Sequence, residues 1–161
     1  MVTRRSLLAG GAAVAALAAA GGAFAQTPKV TYAVMHSDQE WRKMLTADQY
    51  AILRKEATER PGTSPLLNEH RHGVFSCVGC KQDNFSSTTK FESGTGWPSF
   101  WQPLPNAVAT THDKSIGMDR TEVHCTRCGG HLGHVFDDGP KPTGLRYCMN
   151  GFVLSFRPTP A

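Results

Sequence analysis

Short apolar or aromatic segments alternate with clusters of Gly, Pro, Asn and Ser from Val74 onward. None of these segments is long enough for a good helix, and turn residues at such close intervals are typical of all-β domains. The pattern therefore predicts a small β-sandwich or open barrel. The candidate strand segments are residues 73–75, 90–92, 107–109, 121–124, 134–136 and 152–156.

The region before this β pattern favours two short helices. Two pairs of residues have the spacing of a capping box, in which the N-cap and the third helical residue bind each other's backbone amides. They are Ser37 with Glu40 and Thr46 with Gln49. Apolar residues follow at helical spacing. We predict two helices over about 38–59, ended by Pro61-Gly62.

The first 25 residues have the pattern of a bacterial export signal. A basic start is followed by an Ala-rich and Gly-rich stretch and by Ala23-Phe24-Ala25. The pair Arg4-Arg5 before two leucines is similar to a twin-arginine (Tat) signal, with the Sec route as the alternative. We expect a periplasmic or secreted protein; an uncleaved membrane anchor is the alternative, although alanine inserts weakly. Residues 26–36 are then a tether or, from the β character of Val30–Val34, a first strand.

The charge of the mature chain is small. Cleavage after Ala25 would leave 136 residues, enough for one domain with its own hydrophobic core. It would remove two arginines and no acidic residue, which leaves a net charge of +2. So small a charge without a basic stripe argues against a nucleic-acid partner. A monomer is our default expectation.

Four of the five cysteines form two C-x-x-C pairs, Cys77/Cys80 and Cys125/Cys128, with 44 residues between the pairs. A two-residue spacer lets both thiolates of a pair reach one cation, and two pairs complete a tetrahedral site with no open position. The spacing predicts one structural Zn(2+) per chain, which clips the β region together. Disulfides are the alternative in an exported protein.

The fifth cysteine, Cys148, lies outside both pairs. Arg146 is two residues earlier and would share a strand face with it. A nearby guanidinium favours the thiolate, which is the nucleophilic form. We predict that Cys148 is a nucleophile; a buried cysteine that serves only as a small hydrophobic residue is the alternative.

Two histidines and two acids precede Cys148 in the chain. His131 and His134 can supply protons near neutral pH, with a second metal site as the alternative. Asp137 and Asp138 can take part in this proton chemistry, or one of them can cap the Asp-Gly-Pro turn. For Asp137 we favour the role of a turn cap. Trp97 lies on a Gly/Pro-rich loop and can form a wall for a methyl group next to sulfur.

In combination, these motifs resemble the methionine-R-sulfoxide reductases. The similarity covers about residues 37–157, with 158–161 as a tail. The segments that carry it are Leu45-Thr46 to Gln49-Tyr50, Thr58-Glu59-Arg60-Pro61, Lys90–Phe100 (KFESGTGWPSF), His131–Pro140 (HLGHVFDDGP) and Thr143–Asn150 (TGLRYCMN).

The resemblance implies two packed antiparallel β-sheets with short N-terminal helices and a zinc ion on four cysteines. It also implies reduction of methionine (R)-sulfoxide, chiefly in oxidised proteins and peptides. In that scheme Cys148 attacks the sulfoxide sulfur and becomes a sulfenic acid. His131 and His134 bind and protonate the sulfoxide oxygen, and Trp97 holds the methyl group. The supporting residues that the resemblance implies are Arg146, which tunes the thiolate, and Asp138 and Asn150, which belong to the surrounding hydrogen-bond set.

Thr95 departs from the family pattern, because many members carry a resolving cysteine at this position. Without that thiol the sulfenic acid cannot close the usual internal disulfide. We therefore expect an external thiol, from a thioredoxin-like protein or a small molecule, to attack Cys148 directly. The alternatives to this enzyme are an inactive zinc-ribbon binding module and a thiol peroxidase.

Overall fold

The computed structural model describes residues 30–115 and 117–160 of the chain. The predicted export signal over residues 1–25 lies outside the described residues, as do residues 26–29 of the predicted tether. Residues 30–36 form no strand, so the alternative of a first strand there is wrong. Among the described residues, no helix has the length and apolarity needed to cross a membrane.

Two short helices precede the sheets, α1 over Asp38–Met44 and α2 over Ala47–Lys55. Both predicted capping boxes are confirmed, each with two reciprocal bonds between side chain and backbone (Ser37 with Glu40, Thr46 with Gln49). Helix α2 ends earlier than predicted because Glu56 is left-handed, with φ of 58°. The Glu56 N–H closes the helix on the carbonyl oxygen of Ala51.

In the part of the chain that the structure describes, nine strands form two sheets. The strands are β1 (Gly73–Cys77), β2 (Asp83–Ser86), β3 (Lys90–Phe91), β4 (Ser99–Phe100), β5 (Val108–Asp113), β6 (Arg120–Cys125), β7 (His131–Phe136), β8 (Arg146–Met149) and β9 (Leu154–Pro158). One sheet has the order β2-β1-β9 and the other β3-β4-β8-β7-β6-β5, and all neighbouring strands are antiparallel. The predicted fold class is therefore confirmed. The expected strand at residues 152–156 is wrong at its start, since Gly151–Val153 forms a 3-10 helix; another spans Ser87–Thr89.

An aromatic cluster joins the two sheets. Phe75 of β1 and Phe85 of β2 pack against Phe100 of β4, with ring centroids 5.0 and 4.4 Å from that of Phe100. All three side chains are fully buried. Because each burial contributes about 1.5–3 kcal/mol, this cluster stabilises the packing of the smaller sheet on the larger one.

The six-stranded sheet has an apolar face and a polar face, because side chains alternate along each strand and paired residues point the same way. Residues of the apolar face include Phe100, Val123, Tyr147 and Met149, which belong to the core or pack against it. The strand register places seven ionisable residues of β5, β6, β7 and β8 together on the other face: Asp113, Arg120, Glu122, His131, His134, Arg146 and Cys148.

Candidate active site and metal centre

A cavity of about 130 Å³ lies beside Cys148. Cys148 is in β8, where it pairs with Ser99 of β4 on one side and with His134 of β7 on the other. Four residues singled out from the sequence line the cavity: Trp97, His134, Cys148 and Asn150. The rest of the lining is Thr58, Arg120, Gly133 and Phe136. The fold thus brings residues from five separate segments around one thiol.

The Cys148 thiol is the resting form at neutral pH. Burial raises the pKa of Cys148, and this effect outweighs the contributions of the Thr95 hydroxyl and the Arg146 guanidinium, both of which lower it. The influence of Arg146 on this pKa therefore has the predicted sign, and burial of the thiol outweighs it. As the predicted nucleophile, Cys148 would have to lose this proton before or during attack, since only the thiolate is nucleophilic.

Arg146 is held in place by Asp138. Its Nε and Nη2 donate to the two carboxylate oxygens of Asp138, both at 2.8 Å, in a bidentate salt bridge. The guanidinium also lies over the Phe136 ring, 4.4 Å from the centroid. Among the described residues, Asp138 hydrogen-bonds no histidine, so it acts on the site through Arg146.

A bulge in β7 turns His131 and His134 to the same face of the sheet. Residues three apart on a regular strand point to opposite faces. Between β6 and β7 the register shifts, so that Val123 pairs with Gly133 and the next residue pairs with His131, which leaves one extra residue in β7. The two imidazole rings consequently meet edge to face, with centroids 5.4 Å apart.

Gly133 is required at this bulge by a close approach of two backbones. A Cβ atom at position 133 would lie 2.1 Å from the carbonyl oxygen of Cys148. Any side chain there would push β7 away from β8, and with it His134 away from Cys148. The glycine therefore sets the distance between the predicted nucleophile and the predicted proton donor.

Sequence reasoning missed the carboxylates that hold these histidines. His131 Nδ1 lies 2.8 Å from Glu122 Oε1, and His134 Nε2 lies 2.8 Å from Asp113 Oδ2. His131 is almost completely buried and is not part of the cavity lining, whereas His134 is. The alternative of a second metal site is unsupported, because the described residues form a metal-binding group of this kind only at the four paired cysteines.

Glu59 is a third residue that sequence reasoning did not single out. Its buried carboxylate accepts the backbone N–H groups of Gly151 and Phe152, both at 2.8 Å. Its own N–H donates to Asn150 Oδ1, and its carbonyl oxygen accepts Trp97 Nε1–H. Glu59 therefore fixes two cavity walls, Trp97 and Asn150, relative to each other. It lies in a segment that carries the family resemblance, but no local pattern indicated this role.

Both polar atoms of the Asn150 side-chain amide form hydrogen bonds with backbone groups. Its Nδ2 donates to the carbonyl oxygen of Leu132 at 3.1 Å, and its Oδ1 accepts from the backbone N–H of Glu59. Leu132 lies between His131 and Gly133 in the bulge. Asn150 thus ties the bulge to the loop that carries Glu59.

The four paired cysteines meet in one buried cluster. Their sulfur atoms all lie within 4.8 Å of one another, and none forms a disulfide. The Cys77–Cys128 and Cys80–Cys125 sulfur distances are 3.8 and 3.5 Å. A tetrahedral zinc with bonds of about 2.3 Å requires sulfur atoms about 3.8 Å apart, so the cluster fits a four-coordinate metal.

The cluster connects the two sheets, because Cys77 ends β1 and Cys125 ends β6. Each C-x-x-C turn is followed by a left-handed residue, Lys81 with φ of 61° and Gly129 with φ of 66°. A Cβ atom on Gly129 would also collide with the Tyr32 ring at 2.3 Å. A metal held by these cysteines would thus join the two sheets at this end of the hydrophobic core.

Comparison with known proteins agrees with the family resemblance of the sequence motifs. The family model described as "SelR domain" matches residues 45–158. The chain is 51% identical over 133 residues to the peptide methionine sulfoxide reductase MsrB of Agrobacterium fabrum, a match covering 82% of this chain and 96% of that protein. The chain belongs to the MsrB family.

Other MsrB relatives span distant lineages. The Methanosarcina barkeri protein is 52% identical over 126 residues, covering 78% of this chain and 89% of that one. The chloroplastic B1 protein of Oryza sativa is 51% identical over 132 residues, covering 81% of this chain and 62% of its own length. Among solved structures, the Mis18 'Yippee-like' domain has a TM-score of 0.46 and 21% identity, covering 56% of this chain and 100% of that one, a likeness too limited to bear on function.

Membership in the MsrB family makes this chain a methionine sulfoxide reductase, with a methionine sulfoxide substrate and a thiol reductant. Enzymatic function, predicted from the sequence, is thereby confirmed. The buried four-cysteine cluster is the metal-binding capacity expected of that family.

Proposed function

We propose that this MsrB enzyme reduces methionine (R)-sulfoxide, chiefly in oxidised proteins and peptides, with Cys148 as the nucleophile. The observation that carries the proposal is the convergence of Cys148, His134 and Trp97 on one cavity of about 130 Å³. That volume suits a single thioether side chain. The cavity therefore supports a small sulfur substrate held between an aromatic wall and a thiol.

In the proposed reaction the oxygen atom moves from the substrate to Cys148. The sulfur of Cys148 attacks the sulfoxide sulfur, the S–O bond of the substrate breaks, and methionine leaves as Cys148 becomes a sulfenic acid. The methionine sulfur is reduced by two electrons and the cysteine sulfur is oxidised by two. The proton of the thiol ends on the transferred oxygen, so this step neither takes up nor releases a proton overall.

The surrounding residues have distinct proposed roles. His134 and His131 bind and protonate the sulfoxide oxygen. Trp97 contacts the substrate methyl group, for which an aromatic ring next to sulfur is a favourable surface. Arg146, aligned by Asp138, lowers the pKa of the attacking thiol. Asn150 keeps the bulge of β7 in register with the cavity.

Recycling requires a thiol from outside the chain in this proposal. Thr95 stands where many family members carry a resolving cysteine, and the other four cysteines are buried in the metal cluster. A thioredoxin-like protein or a small thiol attacks the Cys148 sulfenic acid, releases water and forms a mixed disulfide. A second thiol then frees Cys148. An intramolecular disulfide of Cys148 after one turnover, detected by mass spectrometry, would refute this route.

We assign the cysteine cluster to zinc and the chain to the periplasm or the secreted fraction, as a monomer. Four thiolates in a closed tetrahedral set favour zinc as a structural ion.

Export rests on residues 1–25, with their paired arginines and terminal A-x-A sequence. Fractionation of cells that express the full chain, with and without Arg4→Lys and Arg5→Lys, tests the Tat route. Retention in the cytoplasm by both forms would refute it.

The experiment that tests the enzyme is single-turnover reduction of the separated R and S epimers of a methionine sulfoxide peptide, with free thiols counted afterwards. We expect reduction of the R epimer alone and the loss of one thiol, at Cys148. A parallel assay with hydrogen peroxide tests the peroxidase alternative. No turnover of either epimer would leave a metal-clipped β domain without this activity.

A further inference from the structure

Each of the two histidines is bound by a carboxylate from another strand of the same sheet. Glu122 of β6 binds Nδ1 of His131, whereas Asp113 of β5 binds Nε2 of His134, both at 2.8 Å. The carboxylate side chains are only 17% and 15% exposed, so water weakens these contacts less than it weakens surface ion pairs. The two rings are therefore held through different nitrogen atoms.

Both carboxylates are ionised at neutral pH. The hydrogen bond from His131 lowers the pKa of Glu122, and hydrogen bonds from Ser115 and then His134 lower the pKa of Asp113. An ionised carboxylate can only accept a hydrogen bond, so the ring nitrogen that faces it carries the hydrogen. Neutral His131 is consequently protonated at Nδ1, and neutral His134 at Nε2.

The second nitrogen of each neutral ring is then a hydrogen-bond acceptor. His131 Nε2 is buried and has no hydrogen-bond partner among the described residues. Burial lowers the pKa of His134, which favours its neutral form. A sulfoxide oxygen is also an acceptor and cannot hydrogen-bond to a bare nitrogen. A histidine must therefore gain a proton before it can bind that oxygen.

We propose that Glu122 and Asp113 are positioning residues that fix these tautomers, so that a histidine receives the Cys148 thiol proton and delivers it to the sulfoxide oxygen. This inference rests on the proposed function of the site. The S–H bond breaks as the sulfur attacks, and the proton ends on the oxygen that Cys148 acquires. The carboxylate behind each ring stabilises the imidazolium that forms in between, as a buried aspartate does in hydrolase triads.

The charged groups behind the two rings come from β5 and β6. Besides the two carboxylates, they are Arg120 and His124 of β6. Arg120 binds Asp113 at 2.5 Å, and its positive charge opposes protonation of His134. His124 Nδ1 lies 3.8 Å from the second oxygen of Glu122, so a charged His124 would compete for that carboxylate.

On the cavity side, β8 contributes Cys148, which is uncharged while it is a thiol. The rings of β7 also act on each other, since the charge of His131 lowers the pKa of His134. Among these described groups only Glu122 and Asp113 favour a charged ring. Removal of either carboxylate should therefore make its imidazolium harder to form.

The test compares Glu122→Gln and Asp113→Asn with the unaltered, zinc-loaded chain. We expect the maximal single-turnover rate with the R-sulfoxide peptide to fall by about tenfold or more, as for the loss of a general acid. The half-saturating peptide concentration should change much less. The alkaline limb of the pH–rate profile should move to lower pH, because a histidine without its carboxylate loses its proton more readily.

Asp119→Asn is the matched control. The Asp119 side chain is 65% exposed, and its carboxylate pairs with the exposed His112 rather than with either ring of the site. The substitution should change neither the rate nor the profile. Zinc content and circular dichroism of all three variants report whether the fold is intact.

Nitrogen NMR of the imidazole rings reads the tautomers without any turnover. The unaltered chain should carry hydrogen on Nδ1 of His131 and on Nε2 of His134, and each variant should lose this preference at its own ring. The opposite tautomers in the unaltered chain, or an unmoved pH profile in both folded variants, would overturn the proposal. Absence of sulfoxide reduction by the unaltered chain would instead overturn the proposed function, and with it the proton route.

Discussion

The Thr95 hydroxyl oxygen lies 3.8 Å from the Cys148 sulfur. Thr95 is in a loop between Gly94 and Gly96, both left-handed, with φ of 71° and 93°. A cysteine sulfur at position 95 would therefore lie beside Cys148, on a loop free of regular strand pairing that has to move closer to reach the S–S bond length of about 2.05 Å. Thr95 thus lies beside the Cys148 sulfur but carries no thiol.

Thr95→Cys should give this enzyme an internal disulfide. After one turnover with the R-sulfoxide peptide, we expect the variant to lose two thiols where the unaltered chain loses one, and its mass to fall by two hydrogens. Peptide mapping should find the introduced cysteine joined to Cys148. A variant that remains folded and active but stops at the sulfenic acid would show that the loop cannot close on Cys148.

Alkylation of Cys148 should report its raised pKa. Because burial disfavours the thiolate, the rate of reaction with iodoacetamide should rise about tenfold per pH unit through neutrality, without levelling off below the pKa of an ordinary cysteine. Arg146→Met removes a charge that lowers this pKa, so its profile should move to still higher pH. A plateau near pH 7 in the unaltered chain would contradict the burial of this thiol.

Loss of one metal ligand should lower the stability of the fold, whereas loss of Cys148 should abolish turnover alone. Cys125→Ser should lose bound metal and about 3 kcal/mol or more of unfolding free energy, because metal binding contributes directly to folding. Its melting temperature should fall by about 10 °C or more. Cys148→Ser is the control and should keep both metal and melting temperature while losing turnover. A metal-loaded, stable Cys125→Ser protein would refute the four-cysteine site.

Glu59→Gln should destabilise the walls of the cavity without changing Cys148 itself. The carboxylate accepts two backbone N–H groups, whereas an amide can accept through its oxygen only, which leaves one buried donor unpaired. We expect a loss of about 1–3 kcal/mol in urea unfolding. The half-saturating concentration of sulfoxide peptide should rise as Trp97 and Asn150 shift. Unchanged stability would mean that water or a local rearrangement satisfies that donor.

Local signals account for what could be predicted from the sequence. The Ser37–Glu40 and Thr46–Gln49 capping boxes depend on three-residue spacing, and each C-x-x-C turn on a two-residue spacer, so neighbouring residues alone determine them. A glycine inside a strand pattern is typical of a bulge, so Gly133 could have indicated that His131 and His134 share a face. Glu122 and Asp113 carry no such signal, because an acid on a strand is usually solvated.

The sequence by itself determined the fold class and predicted the four clustered cysteines and the proposed nucleophile, because each depends on short-range spacing or on a chemically distinctive residue. Only the tertiary structure decided the protonation of the site. The burial of Cys148, the pairing of each histidine with its own carboxylate and the role of Glu59 all depend on strand register and on contacts between distant segments. Desolvation and hydrogen bonding act through space, and the chain order does not record which groups will share that space.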